Sequence, residues 1–161
     1  KAAAAPRGGS VVSAVPAATV SVIGVHGMSD VAEEQVVLAF AKAWNRLEPD
    51  GFLALLAPGA RYTSQWVFEE LVGAAAISDY LRRKMHTVRA RGVNDPDSRV
   101  RVEIGRTSHG EDGRPCALMT QGQSDEVKAV VLFEVHDGMV ARYDLCIPQL
   151  VGDVRTGVFP V

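Results

Sequence analysis

The sequence predicts an α+β domain: a cone-shaped, strongly curved and mostly antiparallel sheet covered on its concave side by about three helices. Three observations carry this. Apolar residues recur every three or four positions from Val37 to Leu47 and again from Ile77 to Val88, the period changes to two after Asn94-Asp95-Pro96-Asp97, and Asp137-Gly138 supplies a hairpin signal between two late apolar runs. Each helix then has one stripe to bury and each strand one face, and helices gathered on one side of a curved sheet bury both.

The elements follow in order. From Lys1 to about Gly27 the chain is Ala, Val, Ser, Gly and Pro with almost no charge, unlike everything after Met28. Residues 1–27 are read as an N-terminal extension or an added edge strand, since Thr19 to Val25 is β-branched enough to pair at a sheet edge. Met28-Ser29-Asp30 has the form of a translation start, and 28–161 is read as a single domain. Asp30 and Glu33 have capping-box spacing, after which Val37, Phe40, Trp44 and Leu47 define an amphipathic helix. Glu48-Pro49-Asp50 breaks it, and Asp50 caps a short second helix through Phe52, Leu53, Leu55 and Leu56 that ends at Pro58-Gly59.

Tyr62 to Val72 then reads as one aromatic strand stopping at Gly73. Ile77, Leu81, Met85 and Val88 make the longest helix, with Arg82, Arg83 and Lys84 on its solvated side and Gly92 as its stop. Val100, Val102 and Ile104 alternate with Arg99, Arg101 and Glu103, and further strands run over 115–123, 127–136 and 139–147, with turns at 109–113 and 137–138.

Composition narrows the function classes. Seventeen basic against nineteen acidic residues leave a net charge of −2 and no basic excess for a phosphate backbone, so no nucleic-acid partner is expected. No apolar run is long enough to span a bilayer, and Pro6 and Pro16 interrupt the N-terminal segment where a signal peptide needs a continuous core, so a cytoplasmic protein without a membrane partner is expected. Cys116 and Cys146 are too few and too far apart for a disulfide framework or a zinc site, and His26, His86, His109 and His136 pair with no carboxylate at ligand spacing. Neither metal nor cofactor is expected.

From about Asp30 to Pro148 the chain resembles the nuclear transport factor 2-like superfamily, which includes ketosteroid isomerases and polyketide-cyclase-like (SnoaL-like) proteins. The resemblance lies in the helix carrying Phe40 and Trp44, the run Asp50 to Ala60, Gly73 followed by Ile77 and Tyr80-Leu81, and the late pattern Val131 to Val140. It implies the cystatin-like α+β fold and leaves the chemistry open. Ketosteroid isomerases use a carboxylate base on the strand before the glycine, with a tyrosine and a protonated aspartate as the oxyanion hole. Carried over by counting, those positions fall on Ser64, near Phe40 and near Ala129, so all three chemical groups are missing.

If Ser64 points into the cone, strand alternation sends Tyr62, Trp66 and Phe68 the same way. With Phe40, Trp44, Val131, Phe133, Tyr143 and Leu145 they would line an apolar cavity or fill a core. Phe40, Trp44, Tyr62, Ser64, Trp66, Phe133 and Tyr143 are the candidate pocket lining, and the expected ligand is a hydrophobic small molecule. Of the adjacent Glu69 and Glu70 at most one can enter a cavity as acid or base. Arg142 and Asp144 share the outer face with Lys128, Val130, Leu132, Glu134 and Cys146, a mixed surface suited to a homodimer. Three readings follow: a small-molecule-binding protein; a cofactor-independent isomerase, cyclase or hydrolase acting on a hydrophobic substrate; and a non-catalytic dimeric scaffold.

Overall fold

The computed structural model describes residues 23–109 and 113–161, leaving aside the side chains of residues 23–31, 67 and 68. The first helix, α1, spans Ile23–Arg46 and buries Val36, Val37, Phe40, Ala41, Ala43 and Trp44 along one stripe. It begins ahead of the expected capping pair, so Asp30 lies inside the helix, and Ile23 to Val25 are helical where an edge strand was one reading. Extending a formed helix adds one hydrogen bond per residue fixed, whereas nucleating a separate strand has no such head start. The remainder of that alternative, 19–22, lies outside the described residues. The helix ends at Leu47, which turns left-handed with φ of 56°.

The short helix α2 covers Asp50–Leu53, and Asp50 does not cap it but pairs with Arg82 at 2.9 Å. Its expected continuation to Pro58-Gly59 is instead the start of strand β1, Leu56–Ser64. Pro58 is tolerated there because it falls between Leu56 and Arg61, where the ladder to the neighbouring strand is interrupted and no amide is needed. The single aromatic strand expected from Tyr62 to Val72 is two strands. A turn at Gln65-Trp66 reverses the chain, and β2, Val67–Val72, returns antiparallel to β1 with Ser64 opposite Val67. Gly73 then takes φ of 100°, a conformation open to glycine, and launches helix α3, Ala74–Gly92, which buries Ile77, Leu81 and Met85.

After a 3₁₀ turn at Pro96–Ser98 come β3 (Val100–Arg106), β4 (Pro115–Gln121), β5 (Val127–His136), β6 (Met139–Cys146), helix α4 (Pro148–Val151) and β7 (Val154–Arg155). The seven strands form one sheet in the order β2-β1-β6-β5-β4-β3-β7, antiparallel except for β1 beside β6. The β5–β6 hairpin closes at Asp137 and Gly138, both with positive φ (52° and 75°), as a two-residue turn matched to strand twist requires. The expected turn at 109–113 falls partly outside the described residues.

The main core lies between the helices and one sheet face, where Val102, Ala117, Val131, Phe133 and Tyr143 meet Phe40, Phe52 and Ile77. The opposite face is partly covered. Cys116, Leu118 and Val130 form a second buried cluster packed by Val127, Leu132 and Val151 of α4. Val130, expected on an open outer face, is therefore fully buried within the chain. Lys128 is also displaced from that face: the β4–β5 register shifts between Met119 and Thr120, and its side chain borders the opposite side of the sheet.

The C-terminal segment straps β3. Gly105 pairs with Arg155, the Ile104 amide donates to Val158 O at 2.9 Å, and Asn45 of α1 donates to Val102 O at 2.8 Å and Pro160 O at 2.7 Å. Glu103, which alternates with the apolar residues of β3, is also fully buried, beneath this strap. Among the described residues no helix is long and apolar enough to cross a membrane.

Burial, and secondarily Asp153, pushes the Cys116 thiol up to about 12. Alkylation proceeds through the thiolate. Iodoacetamide at mildly alkaline pH should therefore leave Cys116 unmodified in the native protein and label both cysteines once it is denatured, as read by peptide mass spectrometry. Labelling of native Cys116 at the denatured rate would contradict the buried second cluster.

Candidate functional site

A cavity of about 760 Å³ opens between α1, α3 and the helix-facing side of the sheet. Helix α1 contributes Phe40 and Trp44 one turn apart, β1 contributes Tyr62 and Ser64 two residues apart, and β6 contributes Tyr143, directly opposite Tyr62 in the parallel β1–β6 register. The Tyr62 and Tyr143 rings lie 4.6 Å apart, and Tyr80 of α3 continues the row 5.5 Å from Tyr62.

Six of the seven residues singled out from sequence border this space: Phe40, Trp44, Tyr62, Ser64, Trp66 and Tyr143. Trp66 arrives by a different route from the one expected, standing on the β1–β2 turn at the mouth with 55% of its surface exposed. Phe133 is not on the wall. It is fully buried behind it, stacked on Tyr143 at 5.9 Å and edge-on to Phe40 at 5.3 Å, so the β6 ring separates it from the cavity. Phe68 falls on β2, beyond the reversal that ends the alternation counted from Ser64; its side chain lies outside the described residues.

The polar groups on the wall are hydroxyls, the Trp66 indole, the Gln121 amide and the cations Arg83, Lys84, Arg91 and Lys128. The Tyr62 hydroxyl lies near those of Tyr80 and Ser64, and Ser64 Oγ accepts from the Trp66 amide at 3.3 Å. Burial, then the Tyr80 phenol, pushes the Tyr62 phenol far up; burial, then Tyr62 and Tyr80, does the same to Tyr143. Both remain protonated donors at neutral pH. Two buried polar atoms, Trp44 Nε1 and Tyr143 OH, have no hydrogen-bond partner among the described residues. A buried donor left unpaired costs about 1–3 kcal/mol; neither atom has accessible surface, so both lie beneath the cavity wall and do not face the open space.

Ser64, Phe40 and Ala129, the three positions to which the isomerase resemblance carries its acid and base groups, all border the cavity, and none of them is ionisable. No Asp, Glu or His stands among the described lining residues. Glu69 is exposed, and Glu70 pairs with Arg61 at 3.3 Å and Arg142 at 3.1 Å on the other side of the sheet. Arg142 Nε donates to Asp144 at 3.0 Å, and Thr63 Oγ1 donates to the same carboxylate. That ionic cluster joins Glu70 of β2 to the residues of β1 and β6 that alternate away from Tyr62 and Tyr143.

The sequence reading missed the contribution of α3. Tyr80, Arg83, Lys84, Thr87, Val88 and Arg91 all border the cavity, at the i, i+3, i+4, i+7, i+8 and i+11 spacing of one helical stripe. That stripe flanks the buried one and looks like a solvated face, because the helical period does not tell solvent from a water-accessible cavity.

The family model for the SnoaL-like domain matches residues 37–143. The chain belongs to this family. Among solved structures, a SnoaL-like protein of unknown function from Burkholderia thailandensis is 17% identical with a TM-score of 0.53, the alignment covering 73% of this chain and 94% of that one. A de novo designed protein with a curved β-sheet is 17% identical with a TM-score of 0.52, covering 74% and 88%. An NTF2-like protein of unknown function from Cytophaga hutchinsonii is 11% identical with a TM-score of 0.46, covering 71% and 88%. The first two likenesses establish the fold alone. No curated protein gives a significant match to the sequence. The SnoaL-like match ends at Tyr143, so the strap from Pro148 onward lies beyond the family model.

Proposed function

We propose that this SnoaL-like protein binds a small molecule with an apolar ring body and an oxygen acceptor in the cavity between α1, α3 and the sheet. The observation that carries the reading is the wall itself, where the rings of Tyr62, Tyr80 and Trp66 stand beside the Ser64 and tyrosine hydroxyls with no carboxylate among the described lining residues. Burial keeps the Tyr62 phenol protonated, so the ligand atom that meets it is an acceptor. Rings around a few placed polar groups are the usual lining of a small-molecule site. An isomerase, cyclase or hydrolase would need a base. The described wall offers instead phenols that burial keeps protonated, which supports binding over turnover.

The solvatochromic naphthyl ketone prodan tests this, because it has both the body and the acceptor. It should bind saturably with one site per chain, and at a hundredfold excess over Kd it should raise Tm by roughly 8 °C, from about 2.7 kcal/mol of linked stabilisation. Ala129→Phe, which puts a ring into the cavity, should abolish binding. Tyr143→Phe should leave the unliganded protein at least as stable, since it removes an unpaired buried hydroxyl, whereas Tyr62→Phe should weaken prodan about 3–10-fold and shift its emission to the blue. Absence of saturable binding, or equal binding by Ala129→Phe, would overturn the proposal.

A further inference from the structure

The cavity's mouth carries charge of one sign. Its described lining includes four cations, Arg83, Lys84 and Arg91 of α3 and Lys128 of β5, and no carboxylate. The whole chain has slightly more acidic than basic residues, so this imbalance is local. The cations reach the mouth from two directions: three share the α3 stripe, and Lys128 comes from across the sheet through the β4–β5 register shift. Two have carboxylates nearby. Lys128 pairs with Glu126, and Arg91 helps to lower the Asp95 carboxyl from a distance. Arg83 and Lys84 make no ion pair among the described residues, whereas their neighbour Arg82 faces away and is paired with Asp50. Four like charges around one opening repel each other, and an anion held among them relieves that repulsion while low-dielectric walls focus the field.

Building on the binding proposal, we infer that the ligand is an amphipathic organic anion, with its ring body against Tyr62, Tyr143 and Phe40 and its carboxylate or sulfonate at the mouth between Arg83, Lys84 and Lys128. The interior and the mouth select different parts of the molecule. The rings and the Tyr62 and Ser64 hydroxyls take an uncharged body with an oxygen acceptor, and none of these groups compensates a buried charge. The cations take the charged end where water still reaches it, so the anion keeps part of its hydration and avoids the full cost of burial.

Two dyes that differ by one sulfonate separate the charge from the body: N-phenyl-1-naphthylamine, which is neutral, and 8-anilino-1-naphthalenesulfonate. Fluorescence titration of the folded chain should give a Kd at least tenfold lower for the sulfonate, and near-molar salt should erase most of that advantage without changing the neutral dye. The double charge reversal Arg83→Glu/Lys84→Glu should weaken the sulfonate more than tenfold and leave the neutral dye within twofold. Ala129→Phe should remove both. If the neutral dye binds and the sulfonate binds no better, the anionic ligand is excluded while the cavity proposal stands. If neither dye nor prodan binds, the cavity proposal itself fails. Sulfonate binding that persists in Ala129→Phe places the dye on the surface and overturns the inference.

Discussion

Phe40→Ala is expected to destabilise the fold by about 3 kcal/mol or more, a fall in Tm of roughly 10 °C. The Phe40 ring meets Phe52 at 5.1 Å, Phe133 at 5.3 Å, Tyr143 at 6.0 Å and Trp44 at 6.4 Å, so it is the ring through which α1, α2, β5 and β6 touch. Removing it deletes a fully buried side chain and also the two edge-to-face contacts, to Phe52 and Phe133, each worth about 0.5–1.5 kcal/mol beyond area. The new void adjoins the cavity, so water or ligand can enter it, and this sets the expected cost at the low end of the range for buried aromatics. Phe40→Leu retains most of the volume and should cost about half as much. A Tm within 2–3 °C of wild type for Phe40→Ala, well under the roughly 10 °C expected, would mean that the ring cluster does not hold helix to sheet. The same substitution should enlarge the cavity and improve the relative affinity for bulkier neutral ring compounds, which separates its effect on the wall from its effect on stability.

Which parts of this structure the sequence reveals depends on how many faces an element presents. Helix α3 shows its buried stripe because Ile77, Leu81 and Met85 are large, apolar and four residues apart with charges between them. Strands β5 and β6 show theirs through alternation, Val131 and Phe133 against Lys128 and Glu134, Tyr143 and Leu145 against Arg142 and Asp144; the Asp-Gly turn alone would set Phe133 opposite Arg142, and the register shift between Glu134 and Val135 brings it opposite Tyr143. The β1–β2 hairpin was hidden. Its turn, Gln65-Trp66, contains none of the glycine, proline, asparagine or aspartate that usually mark a reversal, and strand-forming residues continue on both sides. The count back from Gly73 nevertheless put Ser64 on the cavity wall, while Trp66 reached the mouth by the turn and not by alternation.

The α3 contribution to the site was hidden for another reason. A stripe of Arg, Lys and Thr beside a buried stripe satisfies the rule for a solvated face, and only the position of the sheet opposite shows that part of it borders a cavity. Lys128 needed a register shift that no local pattern announces. The unpaired Trp44 and Tyr143 donors are visible only as a difference, by assigning every other buried polar side-chain atom a partner.

Glu103 is the sharpest case, and it leads to the second large expected effect. Alternation along β3 puts it opposite Val102, which a one-face reading assigns to water, but the C-terminal strap covers that second face and leaves Glu103 fully buried. Its carboxylate is held by Arg155 through Nε at 2.8 Å and Nη2 at 2.6 Å, and it accepts the Gly157 amide at 2.5 Å. Arg155→Ala removes the cation and leaves an uncompensated buried charge, which should cost about 3 kcal/mol, the low end for a broken buried pair because Arg155 itself is partly exposed. The Ile104 amide, bonded to Val158 of the strap, should lose hydrogen-exchange protection along with it. Adding Glu103→Gln to Arg155→Ala removes the stranded charge and keeps an acceptor for Gly157, so the double variant should recover more than half of the loss. Equal destabilisation in the single and double variants would show that Arg155 acts through its packing and its bond to Asp125 O at 2.6 Å, and not by neutralising Glu103.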